Sequence, residues 1–322
     1  MCPGVAAPSI APSAQARKAP AAVPACTVCG SPRARELFAQ IPYRYLRCAD
    51  CGVAFVDGPD YFPKASVLYE HLYARFGGFD PLTERRYRAR LSSLARYRRS
   101  NRLLDVGCGT GHFLAVAGSL GWQAEGTELS DAACALGERT GATVHRGELI
   151  ALALPEGRYD VVSMLELIEH VGNPAAYLRE AARLLRPGGG LLLSTPNFNG
   201  LTRRLIGPEW RVISPEHLHY FTRGSLTRAL RSVGFGHFEL SCVNWNPFDV
   251  LASRRFGWLS RRRQTTGPAM SPRAEEQQLR RRIYASPPLR LLKDLVNRVL
   301  SATGLGDALW TLAIKRDEAR SS

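Results

Sequence analysis

Three clusters in this 322-residue chain hold side chains that can do chemistry. The first is a pair of C-x-x-C turns, Cys26 and Cys29 in CTVCG and Cys48 and Cys51 in CADCG, with 18 residues between the inner cysteines. Two such turns supply four thiolates for a closed tetrahedral zinc site, and a closed site serves folding, not catalysis. The second is LELIEH, 165–170, where Glu166, Glu169 and His170 share one face of a turn at i, i+3 and i+4. The third is PEHLHYFT, 215–222, with His217 and His219 one residue apart. In an extended segment those two side chains point opposite ways, so one faces a pocket and the other packs, and they do not hold one ion together. A histidine suits the removal of a proton from a hydroxyl near neutral pH.

Something must position these groups, and from residue 101 strand and helix patterns alternate. NRLLDVG, WQAEGTEL, ATVHRG, RYDVVSML and GGLLLSTPN read as strands, with helices HFLAVAGSLG and SDAACALGERTG between the first three. Asn173 caps a further helix that starts at Pro174 and is expected to stop at Gly188 and Gly189. This is the rhythm of a doubly wound parallel sheet, and GHFELSCVN and ALWTLAIKR add two later strands. YRYLRC and VAFV, on either side of the second cysteine pair, read as the hairpin of a zinc ribbon.

The loop LLDVGCGTGHF decides the cofactor. Ligands on such sheets bind at the carboxyl ends of the strands. A dinucleotide fingerprint would need a third glycine at 112, where His112 stands; here the glycines are Gly107, Gly109 and Gly111, with Asp105 before them. A carboxylate there repels a pyrophosphate but suits a ligand bearing an ammonium and a sulfonium, which describes S-adenosylmethionine. Glu128, with Leu129 beside it, ends the second strand, where a carboxylate can accept from both ribose hydroxyls. Glu148 and the backbone of Leu149 follow the third strand near the adenine edge, though a solvated loop acid explains Glu148 equally well. Cys108 in the loop and Met164 near the end of the fourth strand complete the expected cofactor-binding set.

With these motifs the sequence resembles the class I S-adenosylmethionine-dependent methyltransferases. Asp105 to Gly111 matches their first motif, and SMLELIEHVGNPAAYLREAARLLRPGGGLLLSTPN resembles the ubiquinone-biosynthesis O-methyltransferase branch. WRVISPEHLHYFTRGSLTRALRSVGF is similar to a related group of small-molecule and glycan methyltransferases, some with an N-terminal zinc ribbon. The resemblance implies a Rossmann-like sheet of seven strands with an antiparallel final pair, and in-line methyl transfer. It implies His217 as the inward histidine, either a general base or acceptor-orienting group or else a hydrogen-bonded structural histidine, with His219 packing and His170 beside the pocket. It also implies a second divalent metal near Glu166, Glu169 and His170; the alternative is that Glu169 and His170 pin the loop.

The organisation expected is a disordered tail over 1–25, a zinc ribbon over 26–58, a helical linker or lid over 59–100, a methyltransferase domain over 101–246 and 305–316, and a helical insert over 247–304 capping the acceptor. Nine alanines and five prolines fill the first 25 residues without periodicity. In the linker, Tyr87, Leu91 and Leu94 share a face while the arginines between Arg85 and Arg99 read as a solvated basic face; Tyr69 and Tyr73 are candidates to close over the cofactor. No stretch reaches the roughly 18 apolar residues of a membrane helix and no secretory signal is visible, so a cytoplasmic protein is expected. The formal charge of +15, with 15 basic against 6 acidic residues beyond residue 249, suits an anionic partner. Small-molecule or glycan acceptors, RNA read by the ribbon, and an anionic membrane surface meeting Arg261 to Arg263 and Arg280 to Arg282 all stay open. Against RNA, SMLELIEH lacks the N/D-P-P-aromatic element of enzymes that methylate exocyclic base amines.

Overall fold

Alternating apolar strands and amphipathic helices have one economical solution, a sheet buried on both faces, and the chain adopts it. The computed structural model describes residues 23–58, 81–253, 282–283 and 285–317. Tyr69, Tyr73, Arg261 to Arg263, Arg280 and Arg281 lie outside the described residues, as does most of the tail.

The large sheet has seven strands in the order β10-β11-β8-β7-β4-β5-β6. Its strands are β4 (Arg102–Val106), β5 (Gln123–Glu128), β6 (Thr143–Arg146), β7 (Tyr159–Leu165), β8 (Leu185–Pro196), β10 (Phe235–Val243) and β11 (Ala308–Lys315). Strands β4 to β8 pair in parallel, whereas β11 runs antiparallel to both β8 and β10. The order reverses between β4 and β7, and the crevice outside their carboxyl ends is where such sheets take ligands.

Helix α1 (Pro81–Ser93) precedes the sheet, and Leu91 and Leu94 bury against Leu103 and Phe113. Helices α2 (His112–Ser119) and α3 (Asp131–Glu138) link the first strands, the latter capped by Ser130. In α4 (Pro174–Leu184) the Asn173 side chain accepts from the Ala176 amide with Pro174 in the first turn. That helix ends at Leu184, short of the two glycines, because Leu185 turns extended and pairs with Tyr159. Beyond β8 come α5 (Leu201–Ile206), α6 (Arg223–Ser232), α7 (Pro247–Ala252) and α8 (Pro287–Thr303). Among the described residues no helix is long and apolar enough to cross a membrane.

The second sheet joins the cysteine turns to the histidine segment. Strands β1 (Ala34–Gln40), β2 (Tyr43–Cys48) and β3 (Ala54–Asp57) form an antiparallel ribbon, and its fourth strand is β9 (His219–Tyr220), inside PEHLHYFT. Ala54 faces Tyr220 and Phe55 faces His219. Cys26, Cys48, Cys51, Val53 and Phe55 share one buried cluster with Val162, Leu191 and Phe221, so ribbon and large sheet have a common core. Each fully buried apolar side chain there contributes roughly 1.5–3 kcal/mol.

Candidate active site

Asp105 is buried at the end of β4, level with Ser163 of β7, whose hydroxyl donates to its Oδ1 at 2.6 Å. Burial pushes this carboxyl up to about 7 against that hydrogen bond. At the neighbouring strand end, Glu128 is held by three backbone amides: Gly109 on Oε2 at 2.9 Å, Leu129 and Ser130 on Oε1 at 2.7 and 2.9 Å. The two carboxylates thus flank the glycine loop from both sides. Gly107 packs beneath Leu167 of the turn after β7, so the loops after β4 and β7 touch.

Glu148 accepts a hydrogen bond from Tyr177 at 3.2 Å, and Leu149 is buried beneath it. Leu129 and Ile150 remain 55% and 48% exposed, on loops tied by the Gly147 amide to the Glu128 carbonyl. Exposed apolar side chains at the ends of two adjacent strands suit a flat ring between them; Ile150 was not singled out by sequence reasoning, because an apolar residue after an acid looks like core. Met164 is wholly buried in the hydrophobic cluster with Leu104 and Val106, which leaves only its backbone to face a ligand.

LELIEH and PEHLHYFT, two clusters in sequence, are one site in space. Glu169, His170 and His217 each present a ligand-competent atom, and these atoms lie within 4.8 Å of one another. The two imidazoles meet edge to face at 4.6 Å. His170 directs Nδ1 to the Glu216 carbonyl at 2.9 Å and His217 directs Nδ1 to the Val212 carbonyl at 2.8 Å. Carbonyls only accept, so both Nδ1 atoms carry the proton and both Nε2 atoms carry a lone pair. Burial and the neighbouring His217 hold His170 down at about 4, and burial lowers His217 too, which keeps both rings neutral.

Glu169 is 1% exposed, its Oε2 has no hydrogen-bond partner, and burial raises its carboxyl well above the usual range. An orphaned carboxylate oxygen beside two imidazole lone pairs is a donor set that fits a divalent cation. Glu166 is outside this trio, although its charge also raises Glu169: it accepts from the Ser194 hydroxyl at 2.7 Å, and the trio expected from the turn exchanges Glu166 for His217. His219 points away, buried, with Nε2 2.6 Å from the Thr27 hydroxyl of the first cysteine turn.

In that turn the four sulfurs of Cys26, Cys29, Cys48 and Cys51 converge, with Cys26 and Cys51 at 3.6 Å and Cys29 and Cys48 at 3.5 Å. Thiolates about 2.3 Å from one ion, tetrahedrally arranged, stand slightly farther apart than this, so the set fits zinc.

Past Glu166 a cavity of about 680 Å³ opens, lined by the tryptophans Trp210, Trp245 and Trp310 and by Asn244, Asn246 and Asn297 among others. Helix α8 contributes Lys293 and Val296, and Val212, the partner of His217, is also in the wall. Helix α1 contributes Arg86 and Arg90, so its basic face is turned partly inward and is not wholly solvated. A second cavity of about 790 Å³, around Gly188, Gly234 and Lys315, lies at the opposite end of β8 and away from the glycine loop.

Comparison with known proteins agrees with this geometry. A family model described as a methyltransferase domain matches residues 79–238. The chain belongs to the class I S-adenosylmethionine-dependent methyltransferases, and S-adenosylmethionine is the methyl donor of this enzyme class. Within it, the chain is similar to the ubiquinone biosynthesis O-methyltransferase of Burkholderia vietnamiensis, 32% identical over 160 residues that span 45% of this chain and 69% of that protein. The protein of the same name from Thiobacillus denitrificans is 31% identical over 161 residues, again 45% and 69% of the two chains. Among solved structures, phosphoethanolamine N-methyltransferase 2 of Haemonchus contortus with S-adenosyl-L-methionine shares the fold, with a TM-score of 0.51 and 17% identity over 80% of this chain and 58% of that one.

Proposed function

We propose that this enzyme methylates a hydroxyl of a small molecule, a glycan or nucleotide-sugar included, with His217 as the base. The observation that carries the reading is the convergence of His217, His170 and Glu169 beside a cavity whose wall includes Val212, the residue that fixes the His217 tautomer. The O-methyltransferase names of the relatives support it.

The bound cofactor supplies a methyl group already activated on sulfonium, so the protein has chiefly to align and to move one proton. Asp105 would hold the ammonium, Glu128 the ribose hydroxyls, Leu129 and Ile150 the adenine faces, with Glu148 and the backbone of Leu149 at its edge. Gly107, Cys108, Gly109 and Gly111 bring backbone close to the same ligand. The acceptor oxygen would attack from the cavity side while His217 Nε2 takes its proton. A divalent cation held by Glu169, His170 and His217 would instead supply Lewis acidity to that hydroxyl in place of the base, because the one lone pair of His217 cannot both bind the ion and take the proton. Zinc in the four-cysteine set would serve structure alone, and the shared core around Cys26, Cys48 and Cys51 supports a folding task over the reading of RNA.

The test is calorimetric titration with S-adenosylmethionine, followed by methyl-transfer assays on sugars, catechols and RNA with and without a chelator. Asp105→Asn should weaken cofactor binding about tenfold or more. His217→Gln should lower kcat by about 10²–10⁴ with cofactor binding kept. Undiminished turnover in His217→Gln would end its assignment as base, and a well-folded protein that ignores the cofactor would end the whole reading.

A further inference from the structure

We propose that Arg86 and Arg90 form an anion subsite in the wall of the acceptor cavity, so that the acceptor carries a carboxylate or phosphate as well as the hydroxyl to be methylated. The inference rests on the methyltransferase reading and adds to it the charge of the substrate.

The two arginines stand at i and i+4 on α1 and line the same cavity as Glu166. Like charges so spaced repel, and the carboxylate that feels Arg86, Glu166, is not within ion-pair distance of either. Among the described residues neither forms an ion pair, although Arg88 on the same helix pairs with Glu84 at 3.1 Å and Arg96 pairs with Glu239. The Nε of Arg86 is buried without a hydrogen-bond partner. Its charge reaches Glu166, yet the guanidinium stays beyond ion-pair distance, and Glu166 is instead engaged with Ser194.

Arg90 rests on the face of Trp310, 4.7 Å from the ring centroid, which fixes its plane at the cavity wall. Burial, with the charge of Arg86, depresses its pKa, as expected for a cation set in place without a counter-ion. Elsewhere in the wall, Arg211 meets Asp249 at 3.1 Å, and Asp307 accepts from the Thr202 and Asn246 amides at 3.0 and 3.1 Å. Among the described residues, the wall guanidiniums without a carboxylate partner are therefore those on the α1 side. Guanidiniums bind planar or tetrahedral oxyanions through paired N–H donors.

The probe is anion binding to the full chain loaded with S-adenosylhomocysteine, followed by tryptophan fluorescence, since Trp310 lies under Arg90. Pyrophosphate, inorganic phosphate and benzoate are titrated against chloride at matched ionic strength. We expect saturable binding of at least one oxyanion, weakened about tenfold or more in the Arg86→Gln/Arg90→Gln double variant. The Lys/Lys variant should retain part of it, and which of the oxyanions binds separates a phosphate from a carboxylate acceptor. Binding equal in wild type and double variant, or no binding beyond that of chloride, overturns the subsite. Binding of S-adenosylhomocysteine is measured separately in each variant. Its retention while oxyanions fail condemns only the subsite; its absence in wild type condemns the methyltransferase reading.

Discussion

Asp105 carries a consequence for cofactor binding that its neighbours do not share. With its carboxyl near 7, the free protein holds it largely protonated below that pH. An ammonium partner requires the carboxylate, so below about pH 7 binding must expel a proton, and affinity should fall by up to about tenfold per pH unit as pH drops. Above that pH the affinity should level off, until the ligand's own α-ammonium loses its proton near about pH 8. Titration in buffers of different ionisation enthalpy would read the proton release directly, and Asp105→Asn should abolish it. His217 follows the opposite sense: burial lowers its pKa and keeps the base form populated below the ordinary histidine range, so kcat should hold to a lower pH than a free imidazole would allow before falling. At this scale the sequence was informative about type and spacing. Asp105 and Glu128 stand at strand ends by alternation, and the opposed directions of His217 and His219 follow from extended backbone. That His217 meets His170 was not legible, because only the folded loop after β8 brings them together. Nor was the inward turn of Arg86 and Arg90: helical periodicity says which residues share a face, not whether that face looks at water or at a cavity.

Among the elements, the junction of the glycine loop with α2 and α3 is the most constrained. Gly111 caps α2 with φ +77, and a Cβ there would lie 2.7 Å from the Gly137 Cα of α3. Gly111→Ala thus meets both a left-handed backbone and a backbone neighbour that cannot yield. It should cost about 1–3 kcal/mol in urea unfolding, with an unchanged m-value, and should weaken cofactor binding through the displaced loop. The large sheet was readable element by element because each buried strand is an apolar run closed by glycine or an acid. Helix α4 was misjudged at its end, since the residues from Leu185 onward were claimed by pairing with β7, and a helix pattern cannot anticipate a strand partner. Strand β9 escaped notice for the same reason: two residues have no periodicity, and only β3 makes them a strand.

For the molecule as a whole, the ribbon is a wall of the catalytic half, joined to it by β9 and by Thr27 on His219. Thr27→Val would leave the His219 ring with no partner on either nitrogen, since Nδ1 already has none. The expected loss is about 1–3 kcal/mol, read as a fall in Tm, with the four cysteines still able to take up zinc. Stripping the zinc proposed for the four-cysteine set by chelation, or Cys51→Ser, should do more. It should lower Tm and reduce methyl transfer about tenfold, because the segment that carries His217 loses its docking strand; unchanged kcat in a protein shown to be zinc-free would separate ribbon from catalysis. Pairing of β3 with β9 also orders events in time. A chain made from its amino end completes the cysteine turns long before Tyr220 exists, so the nascent ribbon waits with one edge unpaired. Every strand from β4 to β8 must be synthesised before that edge is covered. Chains arrested ahead of residue 219 should therefore bind zinc yet associate through the bare edge, whereas chains released beyond β9 should stay apart.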